Sequence, residues 1–307
     1  MTALQTHGRR RALAVALSCA FAALPAAAAA QDEAWVPLDR APADIERLML
    51  GLKTAQTGLP LAVRRSMLAR TESMEVPRAE GPPDRYLRLR HEADGLYFNV
   101  TVRTLSGASP AETVYLLQSG YDLDRCEALQ PLLARDDRVG RDFCRYDPDA
   151  GVARLRLGGM RRFGFSAYRL DGVRVRDATR RVLPDDPLLR SPQRARYVAH
   201  DDTGTQSGVS VDLSRFAEVP VLRLYRELAD GHGLPRDDPR AFTAGYPGPA
   251  FTAHFGFLVW NGKRFELRET VPRALWPCTR DARFSPSGQS CLATDPDRFI
   301  LPDTGAP

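Results

Sequence analysis

The sequence predicts an α+β protein in which antiparallel sheets carry packed helices, arranged as two related, duplicated helix-plus-hairpin units. Three observations carry that expectation. Glycine turns stand between runs of alternating apolar residues, prolines head short apolar stretches of helical period, and one string of residue types occurs twice in the same order. One copy reads Phe163-Gly164-Phe165, Tyr168, Asp171-Gly172, Arg176-Asp177, then Leu183-Pro184. The other reads Phe255-Gly256-Phe257, Trp260, Asn261-Gly262, Arg268-Glu269, then Leu275 and Pro277. Upstream, Gln118-Ser119-Gly120 lies 45 residues before the first Phe-Gly-Phe, and Gln206-Ser207-Gly208 lies 49 before the second. Pro131 and Pro220 follow those glutamines by 13 and 14 residues.

Residues 1–30 read as a secretory signal peptide. Arg9, Arg10 and Arg11 precede an apolar stretch from Ala12 to Leu24, Pro25 breaks it, and Ala28-Ala29-Ala30 suits a signal peptidase pocket. Cleavage is expected after Ala30. An uncleaved anchor is the rival, but the apolar stretch falls short of the roughly 20 residues that span a bilayer. Lipid attachment at Cys19 is disfavoured by Ala16, and the paired Arg10-Arg11 lacks the rest of a twin-arginine motif. The remaining chain of about 277 residues suffices for a substantial core. The net charge of +5 falls to about +2 once the three leader arginines are removed. Lysine occurs only at Lys53 and Lys263, and acids are interspersed with the arginines throughout, so the sequence predicts no nucleic-acid partner.

Residues 31–83 form an N-terminal helical segment and linker. Asp44 is the expected N-cap of a helix carrying Ile45, Leu48, Leu50 and Leu52, with Gly58 to Pro60 ending it. The stretch from Val76 to Asp84 reads as a turn-rich linker. The first α+β unit spans 84–190 and opens with a hairpin. Leu87 and Leu89 alternate on one arm, Asp94-Gly95 turns, and Leu96, Phe98, Val100 and Val102 alternate on the other, one face buried and one wet. The second unit spans 191–277. Pro131 and Pro220 each suit the first position of a helix, the second running over Val221 to Leu228 with Val221, Leu224 and Leu228 as its apolar stripe and Gly231 as its stop. Asn261-Gly262 turns a second hairpin, with Phe255, Phe257 and Val259 expected on one face before it, and Phe265 and Leu267 on one face after it. Residues 278–307 form a loop-like tail.

Four cysteines follow the leader, and an even count in an exported chain predicts disulfides. Three connectivities are open. The simplest joins Cys126 to Cys144 and Cys278 to Cys291 over 18 and 13 steps, each adding about 3 kcal/mol by restricting the unfolded chain. A zinc site lacks the Cys-x-x-Cys and nearby histidines it needs.

No catalytic motif of known spacing is present. His91-Glu92 enters a strand and reads as a hairpin end. His200-Asp201-Asp202 combines a base with carboxylates but reads first as a polar turn before Gly204. His254 stands where the first copy has Arg162, and positions that differ between copies are the places to look for a site. The catalytic candidates are therefore His200, Asp202 and His254. Asp147-Pro148-Asp149-Ala150-Gly151 can offer carboxylates to calcium, but lacks later ligands and reads as a turn between strands. Trp260, Arg176 and Arg268 are the binding candidates, the arginines serving either as hairpin ion pairs or as anion ligands. No cofactor is expected.

These readings together predict a periplasmic or secreted binding protein without catalytic activity. An inhibitor or immunity-type protein and an envelope maintenance factor are its instances. Its partner is expected to be another envelope protein or component, with no transmembrane anchor after cleavage. The alternative is a secreted hydrolase using His200, Asp201 or Asp202, and His254.

Overall fold

The computed structural model describes residues 35–76, 83–93, 96–107, 109–121, 144–147, 152–155, 162–192, 197, 209–213, 215, 216, 218–228, 233–235, 237–242, 252–276 and 299–301. The leader, Pro131, Gln206-Ser207-Gly208, most of the Val76 to Asp84 linker and most of the C-terminal tail lie outside them. In chain order the first elements are β1 (Val36–Leu38), α1 (Ala43–Gly51), α2 (Thr54–Thr57), α3 (Leu61–Leu68), β2 (Thr71–Val76), β3 (Asp84–Ala93), β4 (Leu96–Leu105) and β5 (Val114–Tyr121). Then come β6 (Cys144–Asp147), β7 (Val152–Leu155), β8 (Ser166–Asp171), β9 (Arg174–Asp177) and α4 (Thr179–Val182). The last are β10 (Ser210–Asp212), β11 (Val221–Glu227), β12 (Ala241–Phe242), β13 (Thr252–Trp260), β14 (Phe265–Arg268), β15 (Val271–Pro272) and β16 (Ile300–Leu301).

Antiparallel sheets dominate, and helices cover them. The larger sheet runs β1-β2-β3-β4-β5-β8-β9, and a five-stranded sheet runs β10-β11-β13-β12 with β14 also on β13. Strand alternation sends Leu87, Leu89, Phe98, Val100, Val102, Tyr115, Leu117 and Tyr168 to one face of the larger sheet. There they meet Ile45, Leu48, Met49, Val63 and Met67 of α1 and α3 in one hydrophobic cluster. The opposite face packs Leu105, Val114, Leu116, Phe165 and Ala167 against Leu222, Leu224, Phe255 and Leu258 of the five-stranded sheet. A third cluster covers the far side of that sheet, where Phe299 and Ile300 close on Val221, Phe257, Val259 and Trp276. The order is thus helices, sheet, sheet, C-terminal cover. Each fully buried Leu, Ile or Phe contributes about 1.5–3 kcal/mol of transfer free energy.

The first predicted hairpin is present. Ala93 pairs with Leu96, and the ladder continues to Tyr86 opposite Arg103. Its second face is not simply wet, however. Arg103 is 1 % exposed and lies over the Phe216 ring at 5.5 Å, because the five-stranded sheet covers this end of β4. Desolvation pulls its guanidinium down to about 10, with buried Asp84 at 3.9 Å opposing the shift, so it stays charged at neutral pH.

Four expectations need correction. Val221 to Leu228 is not a helix but strand β11, paired along its length with β13. Its two faces serve different cores, Leu222 and Leu224 one and Val221 the other, so burial on both sides hid the alternation. Phe255 does not share a face with Phe257 and Val259. The register slips between Leu224 and Tyr225, which face Gly256 and His254, so Phe255 is the extra residue of a bulge and turns to the inter-sheet core. Asp44 does not cap α1, which starts after Pro42; its carboxylate instead accepts from Arg85 and from the Tyr115 hydroxyl at 2.9 Å. Finally, the N-terminal helix breaks after Gly51, Gly58 ends the separate α2 in a left-handed conformation, and Leu50 faces outward. Buried Arg64 of α3 closes the break by donating to the carbonyls of Met49, Leu52 and Leu59.

Candidate functional site

His254 is the third residue of β13, 2 % exposed, with its ring 4.0 Å from Phe299 and 5.0 Å from Phe257. Both ring nitrogens have partners. Arg223 Nε donates to Nδ1 at 3.2 Å, and Nε2 stands 2.9 Å from the Glu269 carbonyl oxygen. A carbonyl can only accept, so Nε2 carries the proton and the ring is neutral. Burial first, then the Arg223 charge, holds its pKa down to about 3, against the weaker upward pull of the Glu269 carbonyl. An imidazole so placed orders a core contact and offers no lone pair to an incoming molecule.

His200, Asp201, Asp202, Asp149, Cys126, Cys278 and Cys291 lie outside the described residues. Cys144 and Asp147 begin and end β6, which pairs with β7 so that Asp147 faces Val152. Among the described residues, no three His, Cys, Asp or Glu side chains gather as a metal ion requires. No described helix is long and apolar enough to cross a membrane.

Trp260 bridges the two sheets. Its Nε1 donates to the Ser106 carbonyl at 3.1 Å, and its ring packs on Phe265 at 5.5 Å. Arg176 is exposed and forms an ion pair with Asp171 across the β8–β9 hairpin. Arg268 reaches Glu266 on its own strand at 3.7 Å. Pairs this exposed contribute about 1 kcal/mol or less.

A concavity among the described residues lies elsewhere, at the mouth between the two sheets. A cleft of about 630 Å³ is walled by Gln118 of β5, the Phe163-Gly164 turn, the Asp185 to Leu189 segment and residues of β10. Three local devices shape it. Phe163 has φ 56 and Gly164 φ 78, so the chain turns left-handed there and Arg162 bonds back to Phe165. Phe163 is the one non-glycine with positive φ among the described residues, a conformation that costs about 1–2 kcal/mol. Asp186 caps the helical turn Pro187–Arg190, accepting from Leu188 N at 2.8 Å, and its other oxygen stands 3.4 Å from Val209 N. Asp185 lies between Arg162 and Arg190; the hydrogen bond from Arg190, then the Arg162 charge, holds its carboxyl below the usual range.

The cleft mixes ordered charge with apolar wall. Leu189 is 65 % exposed and Val211 half-buried, while Val209 and Leu213 extend the apolar strip. On one side β10 pairs with β11, and no described strand pairs with its other edge. Among the described residues, the strip therefore follows an edge of the five-stranded sheet. Sequence reading missed this site because its walls come from four separate stretches and carry no chemical signature. The Phe-Gly turn was the one available signal. No family model, curated protein or solved structure matches the chain.

Proposed function

We propose that this is an exported envelope protein that binds and does not catalyse, and that the inter-sheet cleft takes an extended segment of a partner protein. One observation carries the reading: an apolar strip borders an edge of β10 with which no described strand pairs, beneath a left-handed aromatic turn. Strand addition uses that combination, with main-chain hydrogen bonds giving affinity and alternate side chains entering apolar pockets. The described residues that line the cleft include no histidine and no cysteine, and His254 belongs to a different face. The N-terminal arginines, apolar stretch and alanines support export. Periplasmic or secreted placement, paired cysteines and an envelope partner follow from that reading.

We also retain duplication as part of the proposal. Strands β4-β5-β8-β9 and β10-β11-β13-β14 follow the same antiparallel order, and each series is followed by a helical turn, α4 in one case and Arg273–Leu275 in the other.

The test places a photo-crosslinking residue at Leu189 in living cells. Crosslinks to one envelope protein, lost on Val211→Lys, are expected. Absence of any protein adduct, or turnover of peptide, ester or peptidoglycan substrates by the purified chain, overturns the reading.

A further inference from the structure

The two glycine turns that close β8–β9 and β13–β14 converge. Arg169 Nη2 of β8 donates to the Lys263 carbonyl at the other turn, 3.3 Å away. Alternation places Arg169, Asp171, Arg174 and Arg176 on one face of the first hairpin, with Arg169 directly opposite Arg176 and Asp171 opposite Arg174. Like charges opposite one another are unfavourable in a ladder, which marks this face as built for something other than hairpin stability. Residues 169–176 and 261–266 together hold five cations, Arg169, Arg174, Arg176, Lys263 and Arg264, against two carboxylates, Asp171 and Glu266. The excess of three is concentrated at the ends of two hairpins. Asp171 is engaged by Arg176, and Glu266 lies 3.9 Å from Arg264.

Both turns project. Nothing lies within 4 Å of where a Cβ would stand at Gly172 or Gly262. Val173, at the tip of the first turn, is 82 % exposed, the most exposed large apolar side chain described. Arg47 of α1 donates to the Gly172 carbonyl at 3.4 Å and anchors that tip from behind. An apolar tip ringed by arginines serves a bilayer surface: arginine stems lie along the acyl boundary while their heads reach phosphate, and the valine enters the headgroup layer. A soluble polyanion would use the charges and leave Val173 without a role.

We propose that the paired turns dock the protein on an anionic lipid surface, with Arg174, Arg176, Lys263 and Arg264 facing lipid phosphates, Arg169 holding the two turns together, and Val173 inserted among the cations. This surface is distinct from the inter-sheet cleft, so either assignment can fail alone.

The chain, purified as its host processes it, is sedimented with vesicles of mixed phosphatidylglycerol and phosphatidylethanolamine, with phosphatidylcholine vesicles as the neutral control. Binding confined to the anionic vesicles is expected, and is lost in about 0.5 M salt, where screening acts within a few ångströms. The combined variant R174Q/R176Q/K263Q/R264Q lowers partition at least about a hundredfold, and Val173→Ser lowers it about fivefold. Near-UV circular dichroism checks that both variants are folded, and the salt titration of the unaltered chain stands independently of them. Equal binding to phosphatidylcholine, salt-insensitive binding, or undiminished binding by the combined variant overturns the proposal. Retention on dextran sulfate without vesicle binding assigns the surface to a soluble polyanion and overturns it too.

Discussion

Phe163-Gly164-Phe165 and Phe255-Gly256-Phe257 are the same three residues in two structural settings. The first is a left-handed turn ahead of β8, and its glycine, at φ 78, has open space around it. The second is a bulge inside β13. Its glycine, at φ 106, lies so close to β14 that a Cβ would stand 2.6 Å from the Arg268 carbonyl oxygen. Neighbouring strands decide the difference: β11 and β14 flank Gly256 on both sides, whereas Phe163 and Gly164 border the cleft. A shared string of residues therefore does not imply a shared backbone.

The largest test of that contrast is Gly256→Ala, which adds backbone strain to a clash with a carbonyl that cannot swing aside. A loss of about 3 kcal/mol in denaturant unfolding is expected, against about 1 kcal/mol for Gly164→Ala, where only strain operates. Equal losses would erase the distinction between the two segments.

Next in size is a pH effect at His254, which has no counterpart in the first segment. Its folded pKa of about 3 lies below the unfolded value of about 6.5. As pH falls, the unfolded chain takes up the proton first. The contribution of the neutral ring is complete above about pH 6.5 and erodes toward pH 3, by up to about 1.4 kcal/mol per pH unit. The stability gap between the unaltered chain and His254→Gln should narrow between pH 7 and pH 4.5; parallel curves would show that this imidazole does not resist protonation.

Phe163→Gly relieves positive-φ strain but frees the unfolded chain and gives up the ring's partial packing on the inter-sheet core, so a loss of about 1–2 kcal/mol is expected. A loss above about 2 kcal/mol would recast Phe163 as a core residue. The smallest effect is at Trp260. Tyr168 and Trp260 follow the two segments at the same spacing yet face different cores, the helical one and the inter-sheet one. Trp260→Phe removes the bond to Ser106 and should cost about 1 kcal/mol. No change in midpoint would mean the bridge between sheets is carried by packing alone.

Where one face of a strand is apolar and a glycine turn follows, the fold was legible: β3, β4 and the β13–β14 hairpin all came from alternation and Asp-Gly or Asn-Gly. Strand β11 was not, because Arg223 and Arg226 look like solvent positions yet are buried, Arg223 5.5 Å from the Phe257 ring. The bulge at Gly256 was equally hidden, since one inserted residue leaves the apolar count unchanged while reversing the faces. His254 drew attention as the position that differs between the two similar segments, but its ring is occupied by a core contact with Phe299, Arg223 and the Glu269 carbonyl. The cleft joins stretches that only tertiary packing brings together.

Strand β16 pairs in parallel with β15, and Phe299 lies against the His254 ring. The outer wall of the five-stranded sheet is thus closed by a segment far along the chain from the strands it covers. Val221, Phe257 and Val259 gain their cover only when that long-range contact forms, so the closure entropy of the intervening chain falls on this one layer.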